Sequence, residues 1–507
     1  MLFRSLLVTG LLAIVVTWPL VLDPGGSLIG HPGNDVWNHV WGYWWFGDEL
    51  ARGELPIRTD LQHFPHPGRL FFIDSFGAFV SLPLQWLAGA VTAMNVTVML
   101  NFWAAGLAAW GLARHVRAEL LGAEDADADA LVAAVAYQTA PHLLGQAYDG
   151  ITETLFAWGF PLAILAVLRL YERPGPRTAL VAGGAMALNT LANWYYGLFA
   201  IVGSAVLLVT TALWRRERTS WAQLPGALAM AAALAGAAVA PVLLGFSSSL
   251  DGEDALVRRD PDFVWRSLVD HNVTDVVSLF HPGKFYSPDL KLIHHEDLVI
   301  LTYLGWVLIG LAGLGLVRLR RWRDRGPWLA FVLGFFVLAL GPYLYVGGDY
   351  LTVDDRRIPL PFLALFEVVP LFGRISHPFR FVMGMMLGLG VLASLGVGRL
   401  PRVARPIAMG LIIAESLLAS PAVWPIPRSD ARLPEHVAIL AADPTPGAVL
   451  DLPISVPNLE RAVYLYWQTG HGRPSPYMLN EPLPAVLDRS HLARTLLDRK
   501  STRLNSS

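Results

Sequence analysis

His31-Pro-Gly-Asn-Asp-Val-Trp-Asn-His-Val-Trp-Gly-Tyr-Trp-Trp45 follows directly on the first apolar span and holds two His, one Asp and four Trp. Pro32 and Gly33 break the chain, and Asn34 is expected to cap a helix starting at Asp35. On that helix Trp37, Trp41, Trp44 and Trp45 fall at i, i+4, i+7 and i+8 and make one stripe. Asp35, Asn38 and His39 lie opposite. A helix with a tryptophan face and a polar face is expected to lie in the membrane–water interface. It would hold a carboxylate where a lipid-borne substrate presents its head group. The plainer alternative is an anchor whose polar face simply meets water.

Working outward, composition sets the class. The 507 residues are 54% hydrophobic and 15% charged, against about 25% charge for a soluble domain. The chain reads as an all-α polytopic membrane protein. A net charge of −2 points to no nucleic-acid partner, and the absence of Cys removes disulfides and thiolate metal sites. With roughly 20 apolar residues needed per crossing, spans are expected at about 2–22, 96–113, 131–146, 155–171, 180–194, 195–213, 224–246, 298–317, 328–346, 381–397 and 407–423. The first is expected to be retained rather than cleaved. Segment 76–92, short and holding Pro83, is either a span or an interfacial helix.

The arginines set orientation. Arg114/Arg117, Arg173/Arg177, Arg215/Arg216/Arg218, Arg318–Arg325 and Arg399/Arg402/Arg405 occupy every second short loop. Placing them all in the cytoplasm puts the N-terminus inside and segments 23–75, 147–154, 247–297, 347–380 and everything after Trp424 outside. This holds if 76–92 does not cross, which leaves eleven spans. The transmembrane domain is then 1–424. Residues 425–498 form a small extracytoplasmic α/β lobe, with a strand expected at Gly447–Pro453. Residues 499–507 change composition abruptly and are expected to be a non-native tail, with the natural chain continuing differently.

Three outside carboxylates are the informative ones: Asp35, and Asp149 with Glu153 in Tyr148-Asp-Gly-Ile-Thr-Glu153. Together they can supply a general base, or a hard-oxygen site for a divalent ion. The bland alternatives are a turn residue for Asp149 and a helix-dipole partner for Glu153. The outside histidines include His39, His66, His294, His295 and His377, without the helical spacing of a metal site. Asn193-Trp-Tyr-Tyr-Gly197 offers Trp194, Tyr195 and Tyr196 either as belt anchors or as a stacking wall for a sugar ring. Arg374 and Arg380, in Gly373-Arg-Ile-Ser-His-Pro-Phe-Arg-Phe381, can grip a phosphate bidentately. Asp125-Ala-Asp-Ala-Asp129 imitates a nucleotide-sugar metal motif but reads as a solvated linker. Asn95-Val-Thr and Asn272-Val-Thr match a glycosylation pattern that is common by chance.

With these residues in place, the chain resembles the integral-membrane glycosyltransferases of the GT-C class. These include the protein O-mannosyltransferases, the aminoarabinose transferases of lipid A and the oligosaccharyltransferases. The plan is similar: a first span, a large external loop with an acidic residue near its start (Asp35 in Gly33-Asn-Asp-Val-Trp37), and an acidic residue in the next external turn (Asp149 or Glu153). Ser81-Leu-Pro-Leu-Gln-Trp86 is similar to the proline-led segment of that loop, which supports 76–92 as interfacial. The usual adjacent acidic pair is absent, since Asn34 stands beside Asp35. The resemblance implies transfer of a sugar from a polyprenyl-phosphate carrier to a glycan, lipid or protein acceptor on the outer face of a bacterial inner membrane. Asp35, Asp149 and Glu153 would be catalytic. Asn34, His39, His66, Trp194, Tyr195, Tyr196, Arg374, His377 and Arg380 would bind substrate. The sequence demands no cofactor, and a divalent ion remains compatible. The competing readings are a transporter or flippase using the same carboxylates as a proton relay, and a non-catalytic scaffold of envelope assembly.

Overall fold

The computed structural model describes residues 2–122, 126–214, 222–251, 254–256, 261–283, 300–454, 458–479, 487, 489–491 and 494–495. Arg215/Arg216/Arg218, Asp125, His294 and His295, residues 252–253, 257–260 and 284–297 of the loop expected over 247–297 and the tail 499–507 lie outside them.

The architecture is helical. In chain order come α1 (Leu2–Val16), α2 (Val36–Ala51), α3 (Ser75–Val80), α4 (Leu82–Leu121), α5 (Ala126–Asp129), α6 (Leu131–Gln138), α7 (Pro141–Asp149), α8 (Gly159–Glu172), α9 (Pro176–Ala192), α10 (Trp194–Trp214), α11 (Leu224–Asp251), α12 (Pro261–Arg266), α13 (Trp306–Arg318), α14 (Trp322–Ala339), α15 (Pro361–Val368), α16 (Val382–Val397), α17 (Ala404–Ala414), α18 (Glu435–Ala442) and α19 (Asn458–His471). Among the described residues five helical segments are long and apolar enough to cross a bilayer: α4, Thr152–Glu172, α10, Leu224–Ser249 and Pro378–Val397. The chain is a membrane protein. The expected count of eleven crossings is not reproduced by this measure. α13, for example, is 13 residues long, about 20 Å at 1.5 Å per residue against a core of about 30 Å.

α16 is the hub. Its sequence has no charged residue, and all of it is buried. It meets α13 almost backbone to backbone: a Cβ at Gly315 would lie 2.0 Å from the Leu392 carbonyl, and one at Gly396 2.0 Å from that of Leu311. Small residues at such a crossing let dispersion forces act over whole helices where lipid offers no hydrophobic drive. Within α4, Gly89 takes φ 82°. That break separates a short apolar helix, 82–88, with Trp86 and Leu87 exposed, from the long helix that follows.

Several expectations change here. The span expected over 131–146 is two helices, broken at Thr139–Ala140 before Pro141, whose ring fits only a helix start. The Trp stripe does not face lipid. Trp37, Trp41 and Trp45 are buried under α19, where Trp37 packs on Tyr466 and Trp41 donates Nε1–H to Gln468 at 2.7 Å. Periodicity showed an apolar face; protein, not membrane, covers it. The C-terminal segment with α18 and α19 is further tied back by the strand Arg428–Asp430, antiparallel to Ser27–Ile29. Gly447–Pro453 is not a strand; it runs without ladder partners apart from Val449 N–H to the Pro474 carbonyl. Asp129 is not solvated: it is buried between Arg117, at 2.6 Å, and Arg405, at 2.9 Å. Asn95 is wholly buried, its amide bonded to Ile29 N–H and the carbonyls of Pro24 and Ser27, which leaves nothing for a glycan.

Candidate active site

The site forms where the start of α2 meets the turn after α7. Gly150 sits at φ 74°, and a Cβ there would lie 2.6 Å from the Val36 Cα. Only glycine allows this approach. The turn then places Asp149 against Asn34, whose side-chain amide donates to Oδ1 of Asp149. Asn34 therefore bridges two segments and is not the cap of α2; Asp35 holds that position. The single helical turn Thr152–Leu155 follows and delivers Thr152 and Glu153 to His39, one turn along α2 from Asp35. Asn193 locks the arrangement. It donates to the Glu153 carbonyl at 2.9 Å, and its Oδ1 accepts the Tyr195 and Tyr196 N–H groups that open α10.

A chain of polar contacts runs inward from Glu153, beginning with an ion-pair distance and continuing as hydrogen bonds. His39 Nε2 lies 3.5 Å from Glu153 Oε2, and its Nδ1 lies 2.8 Å from the Thr152 hydroxyl. That hydroxyl also bonds Asp74 Oδ2, which accepts from Tyr43 O–H at 3.0 Å. Gly77 N–H donates to the other Asp74 oxygen at 3.0 Å, so Asp74 also caps α3. Burial raises the Asp74 carboxyl to about 8, with the Glu153 charge adding to the effect and the bonds from Thr152 and Tyr43 opposing it. Burial lowers the His39 imidazole to about 4, so it is neutral at pH 7. One proton then has two placements. With Asp74 protonated, its O–H donates to Thr152, Thr152 donates to His39 Nδ1, and His39 Nε2–H faces an ionised Glu153. With Glu153 protonated, every bond reverses and Asp74 carries the charge. The imidazole is neutral in both.

Asp35 is half-buried and accepts from Asn38 at 3.1 Å. Burial raises its carboxyl pKa; His39, Asn38 and Arg380 oppose this, and Glu153 adds to it. Arg380 is the local cation. It is buried, lies 4.7 Å from the Tyr195 ring centroid, and acts electrostatically on both Asp35 and Glu153. Tyr195 O–H in turn meets His377 Nδ1 at 3.3 Å.

Of the residues singled out from sequence, Asn34, Asp35, His39, Asp149, Glu153, Tyr195, His377 and Arg380 gather at this point. Trp194 packs on Tyr195 at its edge. Tyr196 is core: its hydroxyl is spent on the Thr154 carbonyl at 2.8 Å and its ring stacks on Phe160. Arg374 is exposed and joins no ion pair among the described residues. His66 is exposed beside His63 on a loop that pairs with the C-terminal segment at Ser475 and Tyr477; proline-bounded loops place such side chains by contacts the local sequence does not carry. Among the described residues, no three of the site's His, Asp and Glu side chains place a donor atom each within 4.8 Å of one another. Asp74, Thr152 and Tyr43 escaped the sequence reading. The signal available was a lone acid inside the apolar run Phe71-Phe-Ile-Asp-Ser-Phe76.

No family model and no curated protein matches this chain. It is similar to solved structures of integral-membrane glycosyltransferases of the GT-C class. ArnT from Cupriavidus metallidurans bound to undecaprenyl phosphate shares 17% identity over 86% of this chain and 66% of its own, with a TM-score of 0.47. The Archaeoglobus fulgidus oligosaccharyltransferase tethered to an acceptor peptide shares 11% over 94% of this chain and 64% of its own, at 0.48. The mycobacterial arabinofuranosyltransferase AftD shares 16% over 86% of this chain and 29% of its own, at 0.46. The chain thus spans less than two thirds of the length of these proteins.

Proposed function

We propose that this chain is a membrane glycosyltransferase that moves a sugar from a polyprenyl-phosphate carrier to an acceptor hydroxyl on the extracytoplasmic face. The observation that carries the reading is the grouping of a half-buried carboxylate, Asp35, with one buried guanidinium, Arg380, beside the polar chain Glu153–His39–Thr152–Asp74. Asp35 accepts the proton of the acceptor hydroxyl as its oxygen attacks the anomeric carbon. A carboxyl pKa raised by burial makes it a stronger base than a solvated aspartate. The carbon–phosphate-oxygen bond breaks, and Arg380 holds the carrier phosphate that leaves. Glu153 tunes both groups, and His39–Thr152–Asp74 passes the Asp74 proton outward to Glu153 when the leaving charge arrives. Tyr195 fixes the Arg380 plane and presents a ring edge to the sugar.

The test gives purified chain in detergent a panel of labelled polyprenyl-phosphate sugars and membrane extract, with wild type beside Asp35→Asn. Transfer by wild type alone supports the reading; no transfer from any donor, with undecaprenyl phosphate still bound, sinks it. The hydrogen-bond chain also favours a second reading, a proton-coupled transporter of a lipid-linked or polar solute. Liposomes reading solute-dependent proton uptake separate the two.

A further inference from the structure

The far end of the bundle, where α4 and α8 finish, holds a second cluster that the transferase reading does not use. α8 runs about 20 Å from its start near Glu153 to Glu172, so this end lies across the bundle from the site. His115 and Glu119 are four residues apart in the last turns of α4 and share a face. Glu172, the last residue of α8, comes alongside. His115 Nε2 lies 2.9 Å from Glu172 Oε1, and Glu119 hydrogen-bonds the same carboxylate. One donor atom from each residue lies within 4.8 Å of the others. The three line a cavity of about 60 Å³, with Asp324 of α14 facing in as well.

The chemistry of this cluster asks for a cation. Two carboxylates and an imidazole whose donor atoms all lie within 4.8 Å of one another form a donor set suited to a metal ion. The nearby cation is Arg173, while Arg114 is engaged by Asp127. Metal bonds of about 2.0–2.2 Å set donor atoms about 3.4 Å apart. Side-chain movements of about an ångström therefore close this set around an ion. The cavity exceeds the ~10–15 Å³ that one water needs, which leaves room for solvent ligands.

We propose that His115, Glu119 and Glu172 bind a divalent transition ion of the zinc class, clasping α4 to α8, with Asp324 or water in the fourth position. An imidazole with carboxylates suits zinc; magnesium prefers oxygen ligands and keeps its waters. The ion competes with protons for these donors, so binding releases protons and weakens as pH falls.

The test uses the full chain in detergent, stripped with chelator and titrated with Zn2+, with Mg2+ in parallel. The expected result is one zinc per chain, proton release on binding, a rise in Tm, and no competition from Mg2+. Glu119→Gln and Glu172→Gln should each weaken zinc about 100-fold or more, beyond the 10–100-fold typical of supporting residues. Cobalt-loaded wild type gives a reading independent of any variant: d–d bands in the visible that zinc abolishes. Sub-stoichiometric zinc, affinity unchanged in both variants, or no such cobalt spectrum would each overturn the proposal. So would a His115→Gln variant that lowers Tm equally with and without zinc, which marks a plain His–Glu pair.

Discussion

The two ends of this bundle handle buried charge in opposite ways. Around Arg117 each buried charge is answered: Asp129 sits between Arg117 and Arg405. Around Glu153 four carboxylates, Asp35, Asp74, Asp149 and Glu153, gather about one guanidinium, Arg380, and an imidazole that stays neutral. A matched set pins helices. A mismatched set leaves protons to be moved and ligands to be held, which is what a reactive site needs.

The sharpest way to break this comparison is Asp35→Asn. The transferase reading expects a loss of about 10²–10⁴ in transfer rate with Tm and carrier binding kept; equal activity would make the end a scaffold. Asp129→Asn tests the other end. It strips one buried partner from Arg117 and should cost about 3–5 kcal/mol of stability, read by thermal unfolding, with turnover per folded molecule unchanged. Trp41→Phe keeps the ring packing but leaves Gln468 Oε1 without its donor, at about 1–3 kcal/mol. Faster proteolysis of the α18–α19 segment should report it.

The last prediction sharpens the proton chain. The Asp74 pKa is raised from its ordinary value to about 8. The folded state thus binds that proton more tightly than the unfolded state. This contribution to stability is full below about pH 4 and is lost as pH rises through about 8. Asp74→Asn removes that dependence. Its Tm relative to wild type should climb between pH 5 and pH 8.5; a flat difference would place the Asp74 pKa near its ordinary value.

Much of this was legible in the sequence, and unevenly so. Apolar runs found the helices because lipid and core both demand them. Asp35, Glu153 and Arg380 stood out because charge beside an apolar span is costly, and the structure brings those three together. What failed was anything set by distant chain. The Trp stripe gave a face but not its cover, which comes from α19. Asp129 looked solvated because its two arginines lie on α4 and α17. Asp74 and Thr152 become a relay only when the loop before α3 folds against the turn after α7. His66 and Arg374 lie exposed at the surface.

The contact between Trp41 and Gln468 spans 427 residues of chain, and the pairing of Ser27–Ile29 with Arg428–Asp430 spans nearly as many. The helix that follows Asp35 is therefore roofed by a segment made more than 400 residues later. Closing so long a loop costs entropy that no local contact returns. The membrane bundle can assemble early, while α2 waits with its tryptophans uncovered. Synthesis itself becomes a timer: α2 is covered only once α19 has been made.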